Sequence, residues 1–450
     1  MSLIDFLEAY KNARLPMHMP GHKRNTALAG YLGRLGADLD VTEAEGLDNL
    51  HDAGGILKIG MEKTAAQWGS DRTFWLVNGS SCGILAGVWA AVPHGGSVVA
   101  ARNCHKSVLH ALTLRQACAS YIMPETDAVG IAGPLSPQAV AQKLNEAPGA
   151  RLVIVTSPTY EGVVSDIPAI CKIAHARGVP VLVDEAHGAH LGFGHGFPDG
   201  AVKAGADIVV QSFHKTLPSL TQTAVLHVQG DLVDGEAVRA ALGIFETSSP
   251  SYLLMSAIDG CVDLLRTRGD TLFSAWQGGL SLLRERLTAM KCLTLSDGAW
   301  MRDPSKVVVR TDATNIDGAG LMQMLRTRGI EPEMAAPGYV VLMTGMGDTQ
   351  ETFSALAQAL IEIDKTLTPG HATPPPPLPL PLRAMHPWDA EGRATETVNV
   401  ADGIGRVCAD AIWAYPPGIP LAVPGEVLSA EVIQAIAQIC AADQIRVLSR

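Results

Sequence analysis

The sequence predicts an α/β protein with a large, mostly parallel sheet, a small α/β domain and a short C-terminal domain. Between residues 70 and 230, short and nearly continuous apolar segments alternate with helix-like segments. This alternation is typical of parallel strands that helices cover on both faces. The pattern restarts near residue 300. With 450 residues, 47% of them hydrophobic, the chain can form two or three domains and a large core.

The predicted strands are short apolar runs, and the predicted helices lie between them. In the first region the strands are Phe74–Val77, Ser97–Ala101, Ala150–Thr156, Pro180–Asp184, Asp207–Gln211 and Thr223–Val228. The helices there are His105–Ala119 and Ile167–Ala176. In the second region the elements are the strands Lys306–Arg310 and Val340–Thr344 and the helices Gly318–Arg328 and Thr349–Ile363.

Composition divides the chain into five segments. Residues 1–45 form an N-terminal arm, which contains a Pro-Gly turn in His18–Arg24. Residues 46–300 form the large domain and residues 301–370 the small one. Residues 371–382 form a proline-rich linker, because proline runs adopt extended polyproline II. Residues 383–450 form the C-terminal domain.

Charge and cysteine content narrow the class of protein. The 34 basic and 45 acidic residues give a net charge of −11, with no basic run, so neither nucleic acid nor a membrane is expected as a partner. The eight cysteines form no C-x-x-C pair, which favours a reducing compartment over a zinc site or a disulfide scaffold. The first residues contain no apolar stretch of signal-peptide length, and we expect a cytoplasmic protein.

Candidate functional residues follow the predicted strands, where open parallel sheets bind their ligands. Asn78–Gly83 follows the first strand and opens an apolar helix, so its hydroxyls and free N–H groups could bind a phosphate or simply cap the helix. Asp184 ends a strand and could meet a cationic cofactor atom, a metal or a structural partner. Lys215 could form a Schiff base, contact a phosphate or extend to the surface. His105 could stack on a planar ligand or cap a helix.

Together these four features match the needs of pyridoxal 5′-phosphate (PLP). Its phosphate needs an anion site, its ring nitrogen a carboxylate, its aldehyde a lysine amine and its ring a stacking partner. All four sets of residues are expected at one edge of one sheet. Independent structural roles for all of them would be an improbable coincidence.

At these residues the sequence resembles the ornithine/lysine/arginine decarboxylase family, PLP enzymes of the aspartate-aminotransferase fold (PLP fold type I). It resembles the short bacterial form without the N-terminal wing domain. The matching stretches occur in the family's order and cover nearly the whole chain. They are HMPGHKR (18–24), EGLDNLH (45–51), NGSSCG (78–83), RNCHKS (102–107), SPTYEGVVSDI (157–167), VDEAHGAHLGF (183–193), QSFHKTLPSLTQTAVLHV (211–228), TSSPSY (247–252) and YPPGIPLAVPGE (415–426).

The resemblance implies roles around the PLP ring. Lys215 would form the Schiff base, and Asp184 would pair with the ring nitrogen. His105 would stack on the ring, with Ala186 on its opposite face. His187 follows and would also contact the cofactor, although some members have Trp there.

The resemblance also implies which residues bind the phosphate, which bind the substrate and which protonate the α-carbon after CO₂ has left. Ser248 and Ser249 would reach the phosphate of the neighbouring subunit, and Glu426 would stand near the substrate's distal cation. Either Lys215 or His214 would protonate the substrate's α-carbon. The phosphate ligands of the same subunit would be Ser80, Ser81, Ser212 and His214.

The activity implied by the resemblance is PLP-dependent decarboxylation of arginine, lysine or ornithine to the corresponding di- or polyamine and CO₂. The partners implied are a small amino-acid substrate and a second copy of the chain, in a homodimer or larger homo-oligomer with shared active sites.

Three alternatives remain open. An aminotransferase or a carbon–sulfur lyase could use the same fold, with Arg310 as a carboxylate clamp. A non-enzymatic relative would usually lose Lys215 or Asp184, and both are present. A metal site could use His187, His190 and His195, but the glycines around them disfavour a helix and no H-E-x-x-H motif is present, so we expect no metal.

Overall fold

The computed structural model describes residues 2–13, 15–28, 30–44, 47–298, 300–370, 380–414, 418–440 and 442–450. Three parts of the sequence predictions lie outside these residues. They are positions 371–379 of the proline-rich linker, positions 45 and 46 of the EGLDNLH stretch and positions 415–417 of the YPPGIP stretch.

Strands and helices are numbered in chain order. The strands are β1 Arg72–Leu76, β2 Ser97–Ala101, β3 Cys118–Ile122, β4 Ala150–Thr156, β5 Val181–Asp184, β6 Ile208–Ser212, β7 Ala224–Val228, β8 Thr294–Leu295, β9 Lys306–Arg310, β10 Met334–Ala336, β11 Tyr339–Met343, β12 Thr395–Asn399, β13 Ile412–Ala414, β14 Ile419–Ala422 and β15 Gln444–Leu448. The helices are α1 Leu3–Ala13, α2 Gly30–Arg34, α3 Ile56–Trp68, α4 Gly79–Ala91, α5 Lys106–Leu114, α6 Pro137–Glu146, α7 Ile167–His175, α8 Phe213–Thr216, α9 Gly235–Phe245, α10 Tyr252–Leu287, α11 Gly318–Arg326, α12 Gln350–Asp364, α13 Pro387–Ala390 and α14 Ala430–Ile439.

The first seven strands form one sheet in the order β1-β7-β6-β5-β4-β2-β3. β7 runs antiparallel to both of its neighbours, and every other neighbouring pair is parallel. This confirms the prediction of a large, mostly parallel sheet. Because β1, β2, β4, β5 and β6 share one direction, their carboxyl ends lie along the same edge.

Helices cover both faces of this sheet, as the apolar strands predict. Neighbouring residues of β1 point to opposite faces because side chains alternate along a strand. Trp75 packs in a buried cluster with Trp68 of α3, whereas Leu76 packs in another with Ile84 of α4. Both faces of the strand are therefore removed from water, which stabilises the sheet by about 25 cal/mol for each Å² of apolar surface.

The predicted helix His105–Ala119 is wrong at its C-terminal end. The helix stops at Leu114, and β3 begins at Cys118. Between them Gln116 takes a left-handed backbone with φ 50°. A residue in that conformation ends a helix, and the apolar pattern alone does not reveal it.

Two smaller regions follow the large sheet. The strands β10-β11-β9-β8 form an antiparallel sheet, against which α11 and α12 pack. In the C-terminal region β12 pairs with β15 and β13 with β14, around a small core that includes α14. The division of the chain into five segments remains a prediction, and β8, which lies in the predicted large segment, pairs within the smaller sheet. Within the described ranges, no helix has the length and apolar character needed to cross a membrane.

Candidate active site

The carboxyl ends of the parallel strands open onto a cavity of about 520 Å³. Five of the six strands that share a direction contribute a polar residue, at the end of the strand or just beyond it. The residues concerned are Ser80 after β1, His105 after β2, Thr156 at the end of β4, Asp184 at the end of β5 and Lys215 after β6. The structure thus brings together the four strand-end features that the sequence singled out.

Lys215 lies in the short helix α8, directly after β6. Its Nζ atom is 2.9 Å from Nε2 of His187. Burial lowers the pKa of Lys215, and burial followed by the Lys215 charge lowers the pKa of His187 well below its ordinary value. The imidazole is therefore neutral and accepts a hydrogen bond from the amine. Its proton then resides on Nδ1, which is buried and has no partner among the described residues.

Asp184 is the last residue of β5, and its side chain is almost fully buried. In the sheet register it lies beside Thr156 of β4 and Val210 of β6. Its Oδ1 atom accepts a hydrogen bond of 3.2 Å from the backbone N–H of Ala186. A carboxylate held here in an otherwise dry sheet is suited to a cationic partner within the cavity.

Two further histidines reach the cavity with defined tautomers. Nδ1 of His105 accepts from the backbone N–H of Ser107 at 3.2 Å and lies 2.8 Å from its hydroxyl, so a neutral ring carries its proton on Nε2. Nδ1 of His214 donates to the carbonyl of Thr223 at 2.9 Å, which leaves Nε2 as an acceptor. Burial lowers the pKa of both rings. His105 thus caps α5 and also faces the cavity, so the two roles considered for it are compatible.

The N-terminus of α4 supplies the predicted anion site. Asn78 makes no side-chain capping bond there, and Ser80 of the first turn lines the cavity. The helix can lie close against the sheet because residue 83 is glycine, where a Cβ atom would come within 2.7 Å of Leu76. Free N–H groups and the helix dipole attract an anion to such an end.

Several predicted residues do not line this cavity. Ser81, Ser248 and Ser249 are exposed on the surface, and Ser212 is fully buried outside the cavity lining. Glu426 is 3% exposed, and its Oε2 atom accepts a hydrogen bond of 2.7 Å from Nη2 of Arg102. The resemblance implied that Glu426 stands near the substrate's distal cation. The sequence did not reveal Arg102 as its partner, which is 324 positions away in the chain.

The residues of the alternative hypotheses are also engaged elsewhere. Arg310 makes a two-point ion pair with Asp312, at 2.7 and 3.1 Å, and does not line the cavity. His190 is fully buried and pairs with Asp303 at 3.0 Å, whereas His195 is exposed. Within the described part of the chain, no three His, Cys, Asp or Glu residues are grouped so that they could hold a metal ion.

The cavity also contains residues that sequence reasoning missed. Thr156 is the last residue of a correctly predicted strand, so its place at the sheet edge could have been predicted from the sequence. Tyr160 and Glu161 follow in the SPTYEG stretch, which was noted only as a matching motif. Glu333 comes from the small α/β region, just before β10, and no local pattern marks it.

The residues present fit PLP. Lys215, a buried amine of lowered pKa, follows β6. Asp184, a carboxylate, ends the neighbouring strand β5. The hydroxyls of Ser212 and Thr156 and Nδ1 of His187 are buried without a partner among the described residues. Unpartnered buried polar atoms are costly unless a ligand satisfies them. Lys215 and Asp184 supply the amine and the carboxylate that a phosphorylated pyridine aldehyde requires.

Comparison with known proteins gives a consistent result. A family model described as Orn/Lys/Arg decarboxylase, major domain, matches residues 3–275, and the model of the C-terminal domain of that family matches residues 379–445. The arginine decarboxylase of Bacillus subtilis is 33% identical over 436 residues, which cover 93% of this chain and 89% of that protein. The inducible lysine decarboxylase of Escherichia coli is 24% identical, over 94% of this chain and 74% of that protein.

Solved structures show the same fold. The constitutive lysine decarboxylase of E. coli superimposes with a TM-score of 0.83 at 21% identity, over 99% of this chain and 82% of that chain. A structure of SPT with PLP superimposes with a TM-score of 0.57 at 17% identity, over 69% of this chain and 76% of that chain. These likenesses confirm the predicted fold class, PLP fold type I.

Proposed function

Because the chain belongs to the Orn/Lys/Arg decarboxylase family and is an amino-acid decarboxylase, we propose that it converts L-arginine to agmatine and CO₂ with PLP as cofactor. The observation that carries this proposal is the cavity that joins Lys215 to Asp184 at the sheet edge. Arginine is preferred among the basic amino acids because relatives named arginine decarboxylase are 30 to 33% identical, whereas those named lysine decarboxylase are 24 or 25% identical.

The residues divide the work of holding the cofactor. Lys215 would bind its aldehyde, Asp184 would keep its ring nitrogen protonated, and His105 and Ala186 would contact the ring. The groups that the sequence assigned to the phosphate are Ser80, Ser81, Ser212 and His214, and of these Ser80 and His214 line the cavity. When bound, PLP supplies a sink for the electron pair released as the carboxylate leaves as CO₂.

The remaining chemistry belongs to the side chains around the reacting atoms. Neutral His187 holds the Lys215 amine in place through the hydrogen bond at Nε2. Lys215 and His214 both line the cavity and are the groups proposed to deliver a proton to the α-carbon. Lys215 can do so because burial brings its pKa down towards the working pH, which favours proton transfer in both directions.

A second subunit completes the proposal. Ser248 and Ser249 follow α9 and are exposed on the surface of this chain. Their proposed contact with a cofactor phosphate therefore requires the site of a neighbouring copy. Mixing a Lys215→Ala chain with a Ser248→Ala/Ser249→Ala chain tests this proposal. Mixed dimers should recover activity, because one of their two sites has both sets of residues intact.

Product analysis tests the reaction. The purified protein is loaded with PLP and offered arginine, lysine and ornithine separately, without a keto acid. Equal amounts of agmatine and CO₂ from arginine would support the proposal. A requirement for a keto acid would instead favour an aminotransferase, although Arg310, the clamp that such an enzyme would use, is bound to Asp312.

A further inference from the structure

A basic amino acid brings a second cation into the active site, several bonds from its α-carbon. The cavity must provide a negative group for it, away from Lys215 and Asp184. Glu426 is already bound to Arg102 and does not line the cavity. Among the described residues, the carboxylates that line the cavity besides Asp184 are those of Glu161 and Glu333.

A continuous row of side chains links Lys215 to Glu333. Nζ of Lys215 meets His187 at 2.9 Å, and the His187 ring packs edge-on against Tyr160 with ring centres 4.7 Å apart. The Tyr160 hydroxyl then donates a hydrogen bond to Glu333. The carboxylate thus lies at the far end of a row that starts at the reactive amine. Its negative charge raises the Lys215 pKa, against the larger opposing effect of burial.

Glu161 lies beside this row and is 6% exposed. Its Oε1 atom accepts a hydrogen bond of 2.8 Å from the Tyr339 hydroxyl. Arg302 contacts the backbone carbonyl of Glu161, at 3.5 Å, and not its carboxylate. A buried carboxylate held by neutral donors carries an electrostatic cost that a ligand cation would offset.

Neither carboxylate forms a close ion pair among the described residues, although Glu333 acts at longer range on Lys215 and Glu161 on Arg302. Within the described ranges, no Lys, Arg or His nitrogen lies within 4.0 Å of the carboxylate of Glu161 or Glu333. Glu331, only two residues from Glu333, differs in this respect, since Arg326 binds it at 2.6 Å. Glu333 is exposed at the cavity, so a ligand cation can reach it.

The rest of the lining suits an aliphatic chain that ends in a cation. Met343 and Ile419 contribute apolar surface to the cavity. Pockets for small molecules commonly combine such surface with a few placed polar groups. Nδ1 of His187, buried without a partner in the described structure, adds an independent sign that a polar ligand belongs in this cavity.

We propose that Glu333, supported by Glu161, binds the distal cation of the substrate and so selects basic amino acids. The inference rests on the proposed function, because it assumes that a basic amino acid occupies this cavity. Two carboxylates suit a guanidinium well, because its several N–H donors can contact both groups at once.

The test uses two ligands that differ in charge and have nearly the same shape. Agmatine carries a guanidinium, and N-carbamoylputrescine carries a neutral urea in its place. Their binding to the PLP-loaded protein is measured by calorimetry, which requires no turnover. Glu333→Gln should weaken agmatine binding by about tenfold or more and leave N-carbamoylputrescine nearly unchanged. Glu161→Gln should act in the same direction.

Controls separate charge from structure. Glu331→Gln, on the same loop but outside the cavity, should leave both affinities unchanged, and Glu333→Asp should restore much of the preference for agmatine. An unchanged preference in a folded Glu333→Gln protein would overturn the inference, as would a wild-type protein without any preference for the cation. If Glu333 governs agmatine binding but arginine is not decarboxylated, the cation site stands and the proposed reaction fails.

Discussion

Arg102 and Glu426 form a buried ion pair that joins the end of β2 to the C-terminal region. Nη2 and Oε2 are 2.7 Å apart, and the two side chains are 1% and 4% exposed. The Arg102 guanidinium also lies over the Tyr121 ring, 4.9 Å from its centre. Since His105 follows Arg102 by three residues, the pair ties the C-terminal region to a strand end that lines the active site.

Removing one charge of this pair should destabilise the protein strongly. Glu426→Gln leaves Arg102 buried without a counter-charge, and losing one partner of a buried pair costs about 3–5 kcal/mol. Chemical denaturation of the variant and of wild type measures the difference. The variant should keep its preference for agmatine over N-carbamoylputrescine. A stable variant that loses the preference for agmatine would instead support the role predicted from the sequence, in which Glu426 stands near the substrate's distal cation.

Lys215 is expected to be essential for both cofactor attachment and turnover. Among the described residues, Lys215 and Lys106 are the lysines that line the cavity, and Lys215→Ala removes the amine proposed to bind PLP. The visible absorbance of bound PLP and the release of CO₂ should both disappear. Lys203→Ala, an exposed lysine outside this cavity, is the control and should behave as wild type. Retained absorbance in the Lys215 variant would direct attention to Lys106.

Asp184 is expected to control the rate and not the fold. Asp184→Asn keeps the shape of the side chain at the end of β5 but removes the negative charge that would hold a proton on the PLP ring nitrogen. Turnover should fall by at least about a hundredfold, as when other electrostatic contacts to developing charge are lost. Circular dichroism and PLP content check that the protein remains folded and loaded. Unchanged turnover would contradict this role.

Local signals in the sequence were sufficient to predict the sheet edge but not the far side of the cavity. Lys215 and Asp184 each follow an apolar run, so their places could be inferred without any tertiary contact. Glu333 reaches the same cavity from another sheet, 118 residues beyond Lys215, and only the packing of the two regions brings them together. The partner of Glu426 was hidden for the same reason.

The direction of β7 and the length of α5 also could not be predicted from the local sequence. β7 is as apolar as the parallel strands of the sheet. Its reversed direction depends on the short connection from Ser212 to Ala224, which returns the chain alongside β6. The end of α5 depends on the backbone of Gln116, a residue type that does not ordinarily stop a helix.

Glu185 should make the stability of the protein depend on pH. It is 2% exposed, and its carboxyl oxygens accept hydrogen bonds from Ala201 N–H at 2.8 Å and from Nε2 of Gln211 at 2.6 Å. Burial raises the pKa of Glu185 from 4.5 to about 8. Between these two values the unfolded chain releases its proton while the folded chain keeps it. Rising pH in that window therefore favours unfolding, and above pH 8 this contribution no longer changes.

Glu185→Gln isolates this effect, because the amide cannot ionise in either state. The free energy of unfolding is measured by chemical denaturation from pH 5 to pH 9. Relative to the variant, wild type should lose about 1.4 kcal/mol for each pH unit inside the window. Glu362→Gln, which changes an exposed carboxylate on α12, should run parallel to wild type. Parallel profiles for wild type and Glu185→Gln would mean that the buried carboxyl ionises as readily in the folded chain as in the unfolded one.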